Sequence, residues 1–198
     1  MIEEVLKNLV YLIYPKNICA YTEKEKYFSC EEYKRLNKII SDFEIGNGKI
    51  FRKDILKEFE EDYTLKAFQD LSLLDGGDRC MTFNITIIEN GELYTISLFM
   101  SVIIPYYVVK VQKNIIELWF SKERIAELEE ENMETRKLKE LVFEIETIIE
   151  NKFLYNKFPD NFIDFVISDI SFEDSMFGHF TLYNAFFNNV TIRAKNEN

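Results

Sequence analysis

The chain has 198 residues, 47% of them hydrophobic and 15% aromatic, and a formal net charge of −11. That length and apolar content suit one domain with a substantial core and exclude an intrinsically disordered chain. The acidity disfavours binding to nucleic acid or anionic lipid, which require clustered cations, and no apolar run reaches the ~18 residues of a membrane-spanning helix.

Ile2, Val5, Leu6, Leu9, Val10 and Ile13 recur with helical spacing, which predicts a helix stopping before Pro15. Glu3, Glu4 and Lys7 lie within it and no small-residue cleavage site follows, so it does not fit a signal peptide. A cytoplasmic location is the resulting expectation. Residues 17–28 show no period and read as a loop. Ser29 is placed to cap a helix to about residue 43, with Glu32 completing a capping-box pattern and Tyr33, Leu36, Ile39 and Ile40 facing inward. Gly46-Asn47-Gly48 breaks the chain. Residues 50–74 then predict one or two helices, with Phe51, Ile55, Leu56 and Phe59 on one face, followed by Leu65, Phe68 and Leu71. Cys19, Cys30 and Cys80 are odd in number and lack C-x-x-C spacing, which suits ordinary thiols in a reducing compartment.

Residues 79–120 predict a four-stranded antiparallel meander. Asn90-Gly91 fits the two positive-φ positions of a type I′ turn. With that turn, Ile87 meets Tyr94, Ile85 meets Ile96, Phe83 meets Leu98 and Met81 meets Met100 on one face. Thr86 and Thr95, and Asn84 and Ser97, pair on the other. A one-residue slip would mix the two sets. A second hairpin is expected to turn at Lys113-Asn114, placing Val111 opposite Ile116, Val109 opposite Leu118 and Tyr107 opposite Phe120. Lys110 would then face Glu117.

Beyond the sheet, Ser121 is a candidate cap for a helical segment to about residue 152, whose second half is periodic at Leu138, Leu141, Val142, Ile145, Ile148 and Ile149. The stretch from Glu129 to Arg136 is polar and reads as a break or a protruding section. From Phe153 onward the chain is rich in phenylalanine, with short helices expected after Pro159 and across residues 180–187. The fold expected is a single α+β domain over residues 1–198: helical to 74, a β-meander over 79–120, helical and Phe-rich over 121–192.

No catalytic residue, metal-ligand set or cofactor motif can be assigned. His179 is the only histidine, and no nucleophile is placed beside it. Asp75-Gly76-Gly77-Asp78-Arg79 resembles a cation loop in composition, but its spacing matches neither an EF-hand nor a phosphate loop, and it suits an ordinary turn. The outer face of the sheet is the least explained surface. Phe99, Val108 and Trp119 point away from the core row, joined by Tyr106 if Pro105 does not reset the alternation. An antiparallel sheet open to water should be polar there. Either the N-terminal helix or the Phe-rich tail covers these residues, or a partner does, with Trp119 as the favoured anchor. Asp160, Asp164, Glu173 and Asp174 supply negative charge nearby in sequence.

A compact acidic α+β domain, the meander of residues 81–120, and the acidic, aromatic tail of residues 160–187 resemble the immunity proteins of bacterial polymorphic-toxin and contact-dependent-inhibition systems. The resemblance covers most of the chain loosely and has no diagnostic motif, so no family residue is carried over. It implies a non-enzymatic protein that binds a basic toxin domain directly, without cofactor, metal, nucleic acid or membrane. The alternatives are a structural or regulatory module, monomeric or homodimeric through the outer sheet face, and a carboxylate- or metal-dependent hydrolase.

Overall fold

The computed structural model describes residues 2–61, 65, 67–74, 77–90, 92–114, 121, 124, 127, 137–173 and 175–188. Among them, five strands form one sheet in chain order: β1 (Gln69–Asp70), β2 (Cys80–Glu89), β3 (Glu92–Ser101), β4 (Tyr106–Asn114) and β5 (Asn156–Lys157). The first four run antiparallel, and β5 adds in parallel to β4. This is an α+β fold with a sheet slightly larger than four strands.

The β2–β3 hairpin has the register the sequence predicts, from Glu89 opposite Glu92 out to Met81 opposite Met100. Asn90 carries the left-handed φ of 51° that its turn demands. The second hairpin is different. Lys113 and Asn114 do not turn; they continue β4, pairing with Tyr94 and Leu93 of β3. The physical reason is twofold. Lys-Asn lacks the glycine that favours a tight turn, and an uninterrupted β4 pairs the backbone of β3 along nearly its whole length. Lys110 consequently sits opposite Ser97; Ile116, Glu117, Leu118, Trp119 and Phe120 lie outside the described residues.

One face of the sheet carries Met81, Phe83, Ile85, Ile96, Leu98, Met100 and Tyr107, all buried. The described helices, in order along the chain, are α1 (Ile2–Ile13), α2 (Lys24–Ser29), α3 (Glu31–Phe43), α4 (Lys49–Glu60), α5 (Leu138–Phe153), α6 (Asp160–Ile163) and α7 (Leu182–Phe186). α5 buries Leu141, Ile145 and Ile149 in the core. Its first amide, at Leu138, donates to the Glu89 carboxylate (3.0 Å), while the Tyr107 hydroxyl donates to Glu150 near its end (2.8 Å). Only the second half of the long predicted helix falls within this element. Ser121 does accept from the Arg124 N–H (3.3 Å), as a cap would.

α4 lies beside the end of α5, with Phe51 edge-on to Phe153 at 5.5 Å. It follows α3 through a kink at Gly46 (φ −77°, ψ −114°). Two N-terminal expectations need correction. Part of the predicted loop is the short helix α2, of which Ser29 is the last residue, its hydroxyl donating to the Lys26 carbonyl (2.8 Å), and Cys30 takes the N-cap position of α3 without a side-chain cap bond. After α4 the chain becomes an edge strand rather than a second helix. Phe68 stacks on Phe59 (4.6 Å), Arg52 binds Asp70 (2.9 Å), and Leu71 N–H donates to Thr82 O (2.8 Å). Leu65 and Phe68 are buried as expected, whereas Leu71 is exposed.

The kink generates a stability prediction. A Cβ on Gly48 would stand 2.7 Å from the Phe43 carbonyl oxygen, a backbone atom that cannot swing aside. Gly48→Ala should therefore destabilise the fold by about 1–3 kcal/mol despite alanine's better helix propensity. Chemical denaturation would show it as a lower midpoint at unchanged slope; an unchanged or higher midpoint would contradict the close approach.

Candidate functional site

The outer face of the sheet is covered by the chain's own C-terminal segment, residues 158–188. Phe99 meets the Tyr183 ring edge-on at 6.3 Å, and Tyr106 meets Phe158 at 5.7 Å. Val108 is only 5% exposed. Of the four aromatic and aliphatic residues proposed for this face, these three stand under the tail, and Trp119 lies outside the described residues. Of the covers left open for this face, the Phe-rich tail is the one found at this end of the sheet.

The cover is held by one buried cation. Arg79, 1% exposed, directs Nε and Nη2 to the Asn184 carbonyl (3.2 and 2.9 Å) and Nη1 to the Gly77 carbonyl (3.0 Å). Its own amide donates to Phe187 O (2.9 Å), and its guanidinium lies 4.8 Å from the Phe172 ring centre. Glu173 approaches at 3.9 Å. From the N-terminal side, the buried Tyr14 hydroxyl donates to Ala185 O (2.9 Å), and Tyr14 packs edge-on against Phe172 and Phe180. A capping box between Thr181 and Asn184 starts α7. Asp75 and Gly76 of the candidate cation loop lie outside the described residues. Gly77 takes φ +97°, and Asp78 is partly buried, which raises its carboxyl above the usual range.

Between α6 and α7 the tail makes a hairpin-like excursion. Ile167 N–H donates to Phe180 O (2.8 Å), Leu182 N–H to Phe165 O (2.9 Å), and Phe172 and Ser175 exchange two bonds across its tip (3.0 and 2.9 Å). Ile167, Ile170, Phe172, Phe180 and Leu182 point inward and are buried. Outward stand Val166, Met176 and Phe177, exposed by 44, 45 and 40%. Asp160, Asp164, Glu173 and His179 are also exposed. Asp174 lies outside the described residues. Residues 158–188 contain five acids and no lysine or arginine.

Beneath this excursion sits a second buried cation, Lys110. Its Nζ lies 3.8 Å from the centre of the Tyr183 ring and 5.5 Å from that of Phe99, and finds no hydrogen-bond acceptor among the described residues. Desolvation lowers its pKa to about 8, against the opposing fields of Asp164 and Cys80. Burial in turn pushes the Cys80 thiol up to about 12. Sequence reasoning missed both cations. Arg79 looked like the end of a turn, and Lys110 looked paired with Glu117.

Among the described residues no three His, Cys, Asp or Glu side chains converge as a metal-binding group, and no helix is long and apolar enough to cross a membrane. No protein family, curated protein or solved structure matches the chain.

Replacing Arg79 tests the cover. Arg79→Met removes the donors from the Asn184 and Gly77 carbonyls, and each buried acceptor left unpaired costs about 1–3 kcal/mol. The expected loss is several kcal/mol in equilibrium unfolding, with Arg79→Lys recovering only part because ammonium cannot reproduce the planar fork. Full recovery by lysine would show that charge alone matters.

Proposed function

We propose that this protein is a non-enzymatic binding protein that grips a basic protein partner through the outer surface of its C-terminal excursion. The observation that carries the reading is the composition of that surface. Val166, Met176 and Phe177 are exposed on the same segment as the exposed carboxylates of Asp160, Asp164 and Glu173, and that segment has no lysine or arginine. Apolar anchors ringed by one sign of charge suit recognition of a complementary basic surface. The backbone there is tied across its tip and packed from below, so little ordering is needed on binding. The resemblance to bacterial immunity proteins points to a toxin domain as that partner, neutralised by direct contact.

The test is a titration against the basic C-terminal domain of a large secreted protein encoded beside this chain. Binding is expected with an association rate that falls about tenfold or more between low and high salt. Asp160→Lys with Asp164→Lys should slow association, while Met176→Ala with Phe177→Ala should mainly speed dissociation. Tight binding that ignored salt and survived both pairs of changes would place the interface elsewhere.

A further inference from the structure

The interface between the sheet and the tail contains three buried polar atoms with no partner among the described residues: Lys110 Nζ, Asn84 Oδ1 and Tyr183 Oη. Asn84, Ser97 and Lys110 form one cross-strand row on the outer face, and Tyr183 comes down onto Lys110 from α7. Among the described residues, the groups acting on the amine come from both the sheet and the tail. Asp164 after α6 and Cys80 on β2 act through charge, while Tyr183 on α7 and Phe99 on β3 supply ring faces. Ring faces compensate a buried ammonium only in part, by about 2 kcal/mol at best. A charge so placed opposes closure of the tail over the sheet.

We propose that Lys110 is a proton-linked latch: its ammonium form holds the tail's docking below full strength, and loss of that proton tightens the segment that carries the acidic excursion. The latch is a property of the unbound chain and stands whether or not the excursion binds a basic partner. Asp164 sets its working point, because a negative charge there keeps the amine protonated to higher pH.

The sign follows from linkage. The folded pKa of about 8 lies below the ordinary lysine value of 10.5. Stability is therefore lowest where both states are protonated, and rises as pH climbs through 8 toward the unfolded value. Hydrogen exchange at the Arg79 and Asn17 amides, which donate into the tail at Phe187 O and Asp169 O, reads this directly. After correction for intrinsic exchange, protection relative to Lys110→Met should increase about fourfold between pH 6.5 and 8.5. The comparison cancels the opposing ionisation of Cys80, which both proteins share. Lys110→Arg, charged throughout, should show no rise, and Asp164→Asn should move the rise to lower pH. The latch is overturned if the original protein and Lys110→Met follow the same pH course, or if Asp164→Asn leaves the midpoint unmoved.

Discussion

The fold turns on a buried guanidinium. The outer face of the sheet is apolar at the end bearing Phe99 and Val108, and only an irregular segment with two short helices is there to cover it. Such a segment satisfies much of its own backbone, but the carbonyls at the end of α7 would be orphaned against an apolar wall. Arg79 resolves this from the sheet side, bridging the Asn184 and Gly77 carbonyls with one planar group while Phe172 lies against its face. A planar, weakly hydrated cation suits such a place better than an ammonium would. Tyr14 reaches the neighbouring carbonyl of Ala185 from α1. The cover thus closes only when the sheet, the N-terminal helix and the tail are all present, contacts separated by more than a hundred residues.

Two buried cations lie beneath the same segment, and they do opposite things. Arg79 is almost fully enclosed but meets oxygen acceptors along its fork, so its burial is compensated. Lys110 is less enclosed yet meets only rings at close range, and its pKa falls to about 8. The difference lies in the supply of acceptors. Arg79 emerges where strand β2 begins, within reach of the Gly77 and Asn184 carbonyls; Lys110 projects from mid-strand, and its amine has no acceptor among the described residues. One cation fixes the tail and the other moderates how firmly it sits.

Much of this architecture was legible in the sequence, and the limits of that legibility are physical. The β2–β3 hairpin could be read residue by residue, because alternation and an Asn-Gly turn constrain the same register independently. The second turn could not, since Lys-Asn carries no conformational demand and the partner strand β3 decided how far β4 should run. Helices α1 and α5 followed their periodicity; α2 and β1 were too short to have one. The outer-face aromatics were recognised as needing cover, and two candidate elements within the chain were named. Choosing between them required knowing that Arg79 points at Asn184, a contact across 105 positions with no local signature. The carboxylates at Asp160, Asp164 and Glu173 were found by composition alone, whereas Val166, Met176 and Phe177 were not, because an isolated apolar residue looks the same inside or out.

The division of labour within the tail bears on what could bind there. Its inward residues, from Phe158 through Phe187, are committed to the core, so the outward ones are not needed to hold the fold. Exposed apolar side chains on a rigid frame favour association, but the frame also carries five acids and no lysine or arginine of its own. Two copies meeting through this surface would bring like charges together around the apolar centre, at a cost of several kcal/mol. The same charges would attract a basic surface and speed its encounter. Charge therefore separates the two kinds of partner that apolar area alone would leave equal, and under the proposed function it favours a positively charged protein over a second copy of this one.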